Sequence, residues 1–407
     1  MTSFHKKIDI TLASFVYTLI FICVFDPADK ILGLKVPIFF ICWLFFIFRI
    51  LYSNEIFSIN KGLLGYVVLM ISIPLLSIII YLLVNGDQPF QGFILFKSYL
   101  FISFSIILYT LRINLIPILS RVLNFLALLI IFSYLLLIIA PDFMPAFILF
   151  GEKYGLLLFG DRDYSADLTL RFVFFVTSPM LVISIAYYAE RFMTNPLNKF
   201  KNSLFLFINI FGMFLAGTRN NMLVSILLPI TIIFYLSKNK MKLLFYFLFG
   251  LTIFIILYFN ELKILVSSDE ESNQLKIGFM KDYFELFKNP LILLFGQGLG
   301  SFHYWTGRGS FYISELTYLE IVRNFGLPLG LVMYTLMIFP IFSVLFFKRT
   351  YPNKSIIISY LFYLFMCLTN PLFFSSLGIL ILSIILSNIF LYKRNNNNFN
   401  NTNIYIQ

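Results

Sequence analysis

The sequence predicts an all-α, polytopic integral membrane protein, and three observations carry that prediction. Of 407 residues, 60% are hydrophobic and 12% charged, with a mean hydropathy of +0.91. Soluble domains run at about 45–50% apolar and 25% charged. Apolar runs of the length that crosses a hydrocarbon core as a helix, about 20 residues, recur along most of the chain. The charged residues fall mainly at the ends of these runs and between them. Spans of that length leave little chain for an independent soluble domain, so residues 1–407 read as a single transmembrane domain.

Taken in order, the spans are about 8–25, 31–52, 62–84, 93–111, 119–140, 171–189, 203–217, 221–237, 241–259, 322–347, 355–369 and 372–392, about twelve helices in all. The first runs directly into Phe25-Asp26-Pro27 with no small-residue cleavage site, so it reads as a retained anchor. The last two are divided only by Asn370-Pro371, where proline interrupts a run too long for one helix. An amino terminus in the cytoplasm places seventeen of the thirty basic residues on the inner side, against three of the nineteen acidic ones. The positive-inside rule selects that orientation and puts both termini in the cytoplasm. It also accounts for the net charge of +11 without nucleic acid as a partner. From Asn395 the asparagine-rich end, 395–407, reads as a disordered tail.

Two connections are longer than turns, at 141–170 and 260–321, and both fall on the outer side. Chemistry is therefore expected there. The three cysteines, Cys23, Cys42 and Cys367, lie in apolar runs and histidines number two, so neither a disulfide framework nor a Cys/His metal site is expected. In the first connection, Asp161-Arg162-Asp163 suggests a calcium loop, but its sixth position is Ala166 and its twelfth Phe172, where that loop needs glycine and glutamate. Arg171 stands at the outer end of the sixth span, where a guanidinium snorkels, pairs with Asp167 or meets a ligand. In Gly217-Thr218-Arg219, the glycine lets the backbone turn and Thr218 is placed to cap the next helix. Arg219 is the only full charge between Lys201 and Lys238, and its alternatives are headgroup snorkelling or an anionic ligand.

The second connection carries an acidic turn, Asp269-Glu270-Glu271-Ser272. An amphipathic helix follows, with Ile277, Met280, Phe284 and Phe287 on its apolar face and Asp282 and Glu285 salt-bridged by neighbouring lysines. Next come Gly296-x-Gly298-x-Gly300, whose glycines permit close approach to phosphate or sugar, then His303 and Arg308. Ser314-Glu315-Leu316-Thr317-Tyr318 opens the tenth span. Helical spacing puts Glu315 where the buried face of that span begins, and places Glu320 three residues from Arg323 as a pair. Helix-dipole stabilisation is the structural alternative for Glu315.

At these residues, over about 165–392, the chain resembles the Wzy-type O-antigen and capsular repeat-unit polymerases, within the superfamily that includes the O-antigen ligases. The matching stretches are Arg171 to Pro179, Gly217-Thr218-Arg219, the glycine run from Gly296, Ser314-Glu315 through Gly326 and Gly330, and Thr369-Asn370-Pro371. The resemblance implies an enzyme of the bacterial inner membrane, working at its periplasmic face without metal or other cofactor. Both donor and acceptor would be undecaprenyl-pyrophosphate-linked glycans, joined with inversion, with membrane lipids and a chain-length regulator as further partners. It implies Glu315 as the catalytic base, where the ligases carry a histidine, with His303 as the rival base. Arg171 and Arg219 would bind pyrophosphate, with Arg308 and Arg323 in lesser roles. The alternatives are an O-antigen ligase, which differs in its acceptor, and a non-enzymatic repeat-unit flippase, for which paired halves and mid-span charges are expected.

Overall fold

A computed structural model describes residues 2–52, 59–85, 90–165, 168–242, 252, 271–346 and 353–402. The protein is a membrane-embedded helical bundle. Among the described residues, eight helices are long and apolar enough to cross a membrane: Ile8–Phe25, Lys35–Tyr52, Lys61–Val84, Phe90–Leu111, Ile116–Ile139, Arg219–Leu236, Thr317–Leu345 and Ser376–Arg394. Shorter helices at Leu181–Thr194, Lys199–Leu215 and Lys354–Met366 pack among them. The expected ninth span, 241–259, lies almost wholly outside the described residues.

Ser376–Arg394 is the central post, 83% buried by protein, whereas Lys35–Tyr52 is 28% buried and turns the rest outward. Phe40, Leu83, Phe132, Ile139 and Leu331 are among the large apolar side chains left exposed. In water such a surface would drive aggregation; in a bilayer it is solvated by lipid. Inside, an amide cluster fastens three helices. Asn124 donates to Tyr188 Oη at 2.7 Å, Ser184 donates to Asn124 Oδ1 at 3.3 Å, and Asn209 donates to Asn124. Polar contacts of this kind supply specificity where apolar packing alone has no preference for protein over lipid.

The helical backbone of Ser376–Thr402 continues through Asn395, past the point where composition predicts a disordered tail. Extending an existing helix costs far less than nucleating one.

The first long connection is structured. A helix, Met144–Tyr154, leads into an antiparallel hairpin of β1 (Leu157–Ser165) and β2 (Leu168–Phe175), and helix resumes only at Leu181. The expected sixth span at 171–189 is thus corrected, because its first five residues are strand and Arg171 pairs in register with Asp161. Alternation explains this. Val173 and Phe175 are buried while Phe172 and Phe174 are half-buried, the period of two that a pleated strand imposes. Pro179 then stands in a 3-10 turn before the helix starts.

Two polar clusters sort to opposite ends of the bundle's spans. Arg49 pairs with Asp9, and Ser355 donates to Glu190. At the other end of these spans the connections carrying the candidate residues gather.

Candidate functional site

Four of the sequence stretches meet at that end through hydrogen bonds between neighbouring residues. Thr218 caps the helix Arg219–Leu236, its hydroxyl accepting from Asn221 N at 3.2 Å, as its position predicts. Asn221 then donates its side-chain amide to Ser178 at 3.0 Å, tying this junction to the Arg171–Pro179 stretch. Asn220 donates to Thr369 Oγ1 at 2.5 Å, and Thr317 donates to Asn370 O at 2.7 Å, so the Asn370-Pro371 break joins the start of the span Thr317–Leu345 to the start of the Arg219 helix. Gly217 has φ of +68°, and a Cβ there would sit 2.0 Å from Phe172 Cβ. Only glycine permits both that turn and that approach, which seats the Arg219 turn against the strand carrying Arg171.

The described part of the second connection covers this cluster. Its helix, Glu271–Leu286, receives Arg219, whose Nη1 donates to Asn273 Oδ1 at 2.9 Å. Arg308 lies over Phe279 of the same helix, 5.6 Å from the ring centroid, and its Nη2 pairs with Glu315 Oε1 at 2.5 Å. Asn273 and Phe279 are about 9 Å apart along the helix at 1.5 Å per residue. Arg219, Arg308 and Glu315 are thereby brought to one helix. Arg171 Nη1 reaches Leu137 O at 3.4 Å, next to the same junction through Phe172.

Arg323 and His303 sit differently. Arg323 and Glu320 form the expected pair, Nη2 to Oε1 at 2.5 Å, with both side chains fully buried. The guanidinium also donates to Gln297 Oε1, Ser301 O and Oγ, and Tyr312 O, at 2.8–3.1 Å. Tyr283 Oη donates to Glu320 Oε2 at 2.6 Å, and Asn324 donates to Oε1 at 3.1 Å. Loss of solvent is the main reason the Tyr283 hydroxyl is held well above the ordinary tyrosine range, and the Glu320 charge adds to it. Trp305, buried, packs on Tyr283, Phe279, His303 and Arg323 at centroid distances of 4.7, 5.7, 4.6 and 5.7 Å. Arg323 is therefore an internal anchor for the connection. Burial, followed by the Arg323 charge, lowers the pKa of His303 below its usual value.

Two further expectations change. Glu315 precedes the helix, which begins at Thr317, so it stands on the connecting turn. Of the amphipathic helix, Phe279 and Tyr283 face the protein, whereas Ile277, Met280 and Phe284 are exposed. Glu285 does pair with Lys288 at 2.7 Å, but Asp282 accepts from Thr306 N and Oγ1 at 2.7 and 2.8 Å, clasping the β3–β4 turn (His303–Trp305 and Gly309–Phe311). Asp269 and Glu270 lie outside the described residues.

The glycine run serves packing. A Cβ on Gly298 would fall 2.5–2.6 Å from Tyr81, and one on Gly300 would fall 2.2 Å from Gly92 N, so these glycines admit the backbones of neighbouring spans where sugar or phosphate was expected.

Two cavities open beside the cluster, of about 390 and 290 Å³, sharing Pro27, Ala28, Pro371 and Ser375 in their walls. The larger is lined by Lys35 and Lys97, which sequence reasoning passed over. Each lies four residues inside the predicted start of its span, and Lys97 is the only charge in 93–111. A charge inside a span is by default a functional signal.

Comparison with protein-family models, with curated proteins and with solved structures returns no match to this chain.

Proposed function

We propose that this chain polymerises undecaprenyl-pyrophosphate-linked oligosaccharide repeat units into O-antigen or capsular polysaccharide. In this reading it has about twelve spans in the bacterial inner membrane, both termini in the cytoplasm, and the cluster on the periplasmic face. The supporting observation is convergence. Arg171–Pro179, Gly217–Arg219, Ser314–Thr317 and Thr369–Pro371 are distant in sequence, and all meet at one end of the bundle beside an accessible Arg308–Glu315 pair.

The chemistry fits those groups. A sugar hydroxyl of the acceptor attacks the anomeric carbon of the donor as the bond from that carbon to the pyrophosphate oxygen breaks, and inversion follows from in-line displacement. The hydroxyl proton passes to Glu315, which is half-buried and first gives up Arg308. Charge builds on the departing lipid pyrophosphate, where Arg171, Arg219 and the released Arg308 supply guanidinium donors of matching geometry. The neutral imidazole favoured at His303 keeps it as the rival base.

The test is reconstitution of the purified protein in proteoliposomes with lipid-pyrophosphate-linked repeat units alone, products being resolved as a ladder. Wild type extends the ladder, and Glu315→Gln and Arg219→Ala abolish it with the fold retained. No ladder, together with transbilayer movement of the same lipid, would instead identify a flippase; transfer to a lipid A core acceptor alone would identify a ligase.

A further inference from the structure

The 390 Å³ cavity lies beside the cluster just described and shares none of its arginines or Glu315. Its polar wall carries Lys35 and Lys97. Lys35 is 6% exposed, yet among the described residues its ammonium has one protein acceptor, Pro27 O, for three N–H groups. Lys97 is exposed at the rim. Asp29, the acid in the wall, already accepts Lys35 N at 2.9 Å and so caps its helix.

The wall is preorganised. Asp26, buried, accepts three backbone N–H groups, from Lys30, Ile31 and Leu32, at 2.8–3.1 Å, fixing the turn that presents Lys35. Helices starting at Lys35 and Ser376 both present their first turns to the cavity. Helix N-termini favour anions, here in addition to two ammonium groups. Ile94, Phe101 and Phe374 add apolar lining. A cavity with cationic side chains beside apolar walls fits an anionic head on a hydrocarbon chain.

We infer that this cavity is a second anion site, which binds the pyrophosphate head of a polyprenyl lipid. The inference deepens the proposed function, since a polymerase must hold two such lipids at once, and it rests on that reading for the ligand's identity. Two ammonium groups against the one carboxylate of Asp29 leave the wall net cationic, and a diphosphate is drawn to it more strongly than a monoanionic phospholipid head.

The three native cysteines are buried, so Ser98→Cys, in the cavity wall, gives one reactive thiol. Its maleimide labelling is followed in detergent with geranylgeranyl pyrophosphate, inorganic pyrophosphate or phosphatidylglycerol added. The pyrophosphate lipid is expected to slow labelling about tenfold, inorganic pyrophosphate to act only at higher concentration, and phosphatidylglycerol to leave the rate unchanged. Lys97→Glu in the same background is expected to raise the half-protecting concentration at least tenfold, while Arg219→Ala leaves it within twofold. No protection by the pyrophosphate lipid, equal protection by phosphatidylglycerol, or protection that survives Lys97→Glu would overturn the inference. Because the readout is occupancy at Ser98, it fails separately from the polymerisation assay: protection without a ladder removes the proposed function and keeps the site, and a ladder without protection does the reverse.

Discussion

Two ion pairs lie within sixteen residues of each other, and their surroundings give them opposite roles. Glu320 and Arg323 are wholly buried, and their spare lone pairs and N–H groups are met by Tyr283, Asn324, Gln297, Ser301 and Tyr312. Arg308 and Glu315 are 45% and 26% exposed and hold chiefly each other. A buried pair is committed, since removing one member strands a desolvated charge. An accessible pair holds its two groups ready and exchanges them for a ligand at little cost. The sequence motif around Ser314–Phe325 therefore contains one element that holds the connection down and one that stays accessible.

The largest expected effect comes from splitting the buried pair. Arg323→Met alone should destabilise by about 3–5 kcal/mol, while Glu320→Leu with Arg323→Met should recover much of that loss. Thermal unfolding in detergent decides; a double variant no better than Arg323→Met would show that the network, more than the pair, is what matters. Next, Gly217→Ala should cost about 1–3 kcal/mol, because the left-handed turn and the Phe172 contact both exclude a Cβ. Tyr283→Phe, which deprives Glu320 of its hydroxyl donor, should cost about 1–3 kcal/mol. A change near zero would show that Ser314 takes over as the carboxylate's donor.

Arg308→Ala should change stability by less than about 1 kcal/mol. Under the proposed function it should nonetheless lower the polymerisation rate, about tenfold or more, giving the widest split between folding and activity of any variant here. Equal losses in both would erase the distinction between the pairs. The smallest effect concerns pH. His303 has a folded pKa below its unfolded value of about 6.5. It thus contributes stability that is complete above that value and is lost as pH falls through the folded one. His303→Gln should therefore lose less of its Tm between pH 7 and pH 5 than wild type does.

Legibility followed the range of the interaction. The Glu320–Arg323 pair, the Thr218 cap and the Glu285–Lys288 bridge were readable because three-residue spacing on a helix fixes neighbours. Burial of the first of these was not, since Tyr283, Trp305 and Gln297 come from elsewhere in the chain. The Arg171 strand was mistaken for a span because Phe-Val-Phe-Phe-Val is apolar enough for either, and only pairing with Leu157–Ser165 selects the pleat. The glycine run pointed to close approach correctly, but what approaches is Tyr81, Gly92 and Asn324, which spacing cannot reveal. Lys35 and Lys97 were passed over because they belong to different spans, and only packing puts both in one cavity.

By itself, then, the sequence determined that the chain is a membrane-embedded helical bundle, and it marked most of the polar residues gathered at one end. Hydropathy and helical spacing are local quantities, and a bilayer enforces them because every backbone polar group must be satisfied within the protein. Tertiary structure alone decided which arginines stay accessible and which is sealed inside, and where a cavity opens. Those outcomes depend on contacts between residues far apart in the chain, such as Asn220 with Thr369, 149 positions away, and Thr317 with Asn370, 53 away, whose closure no local pattern encodes.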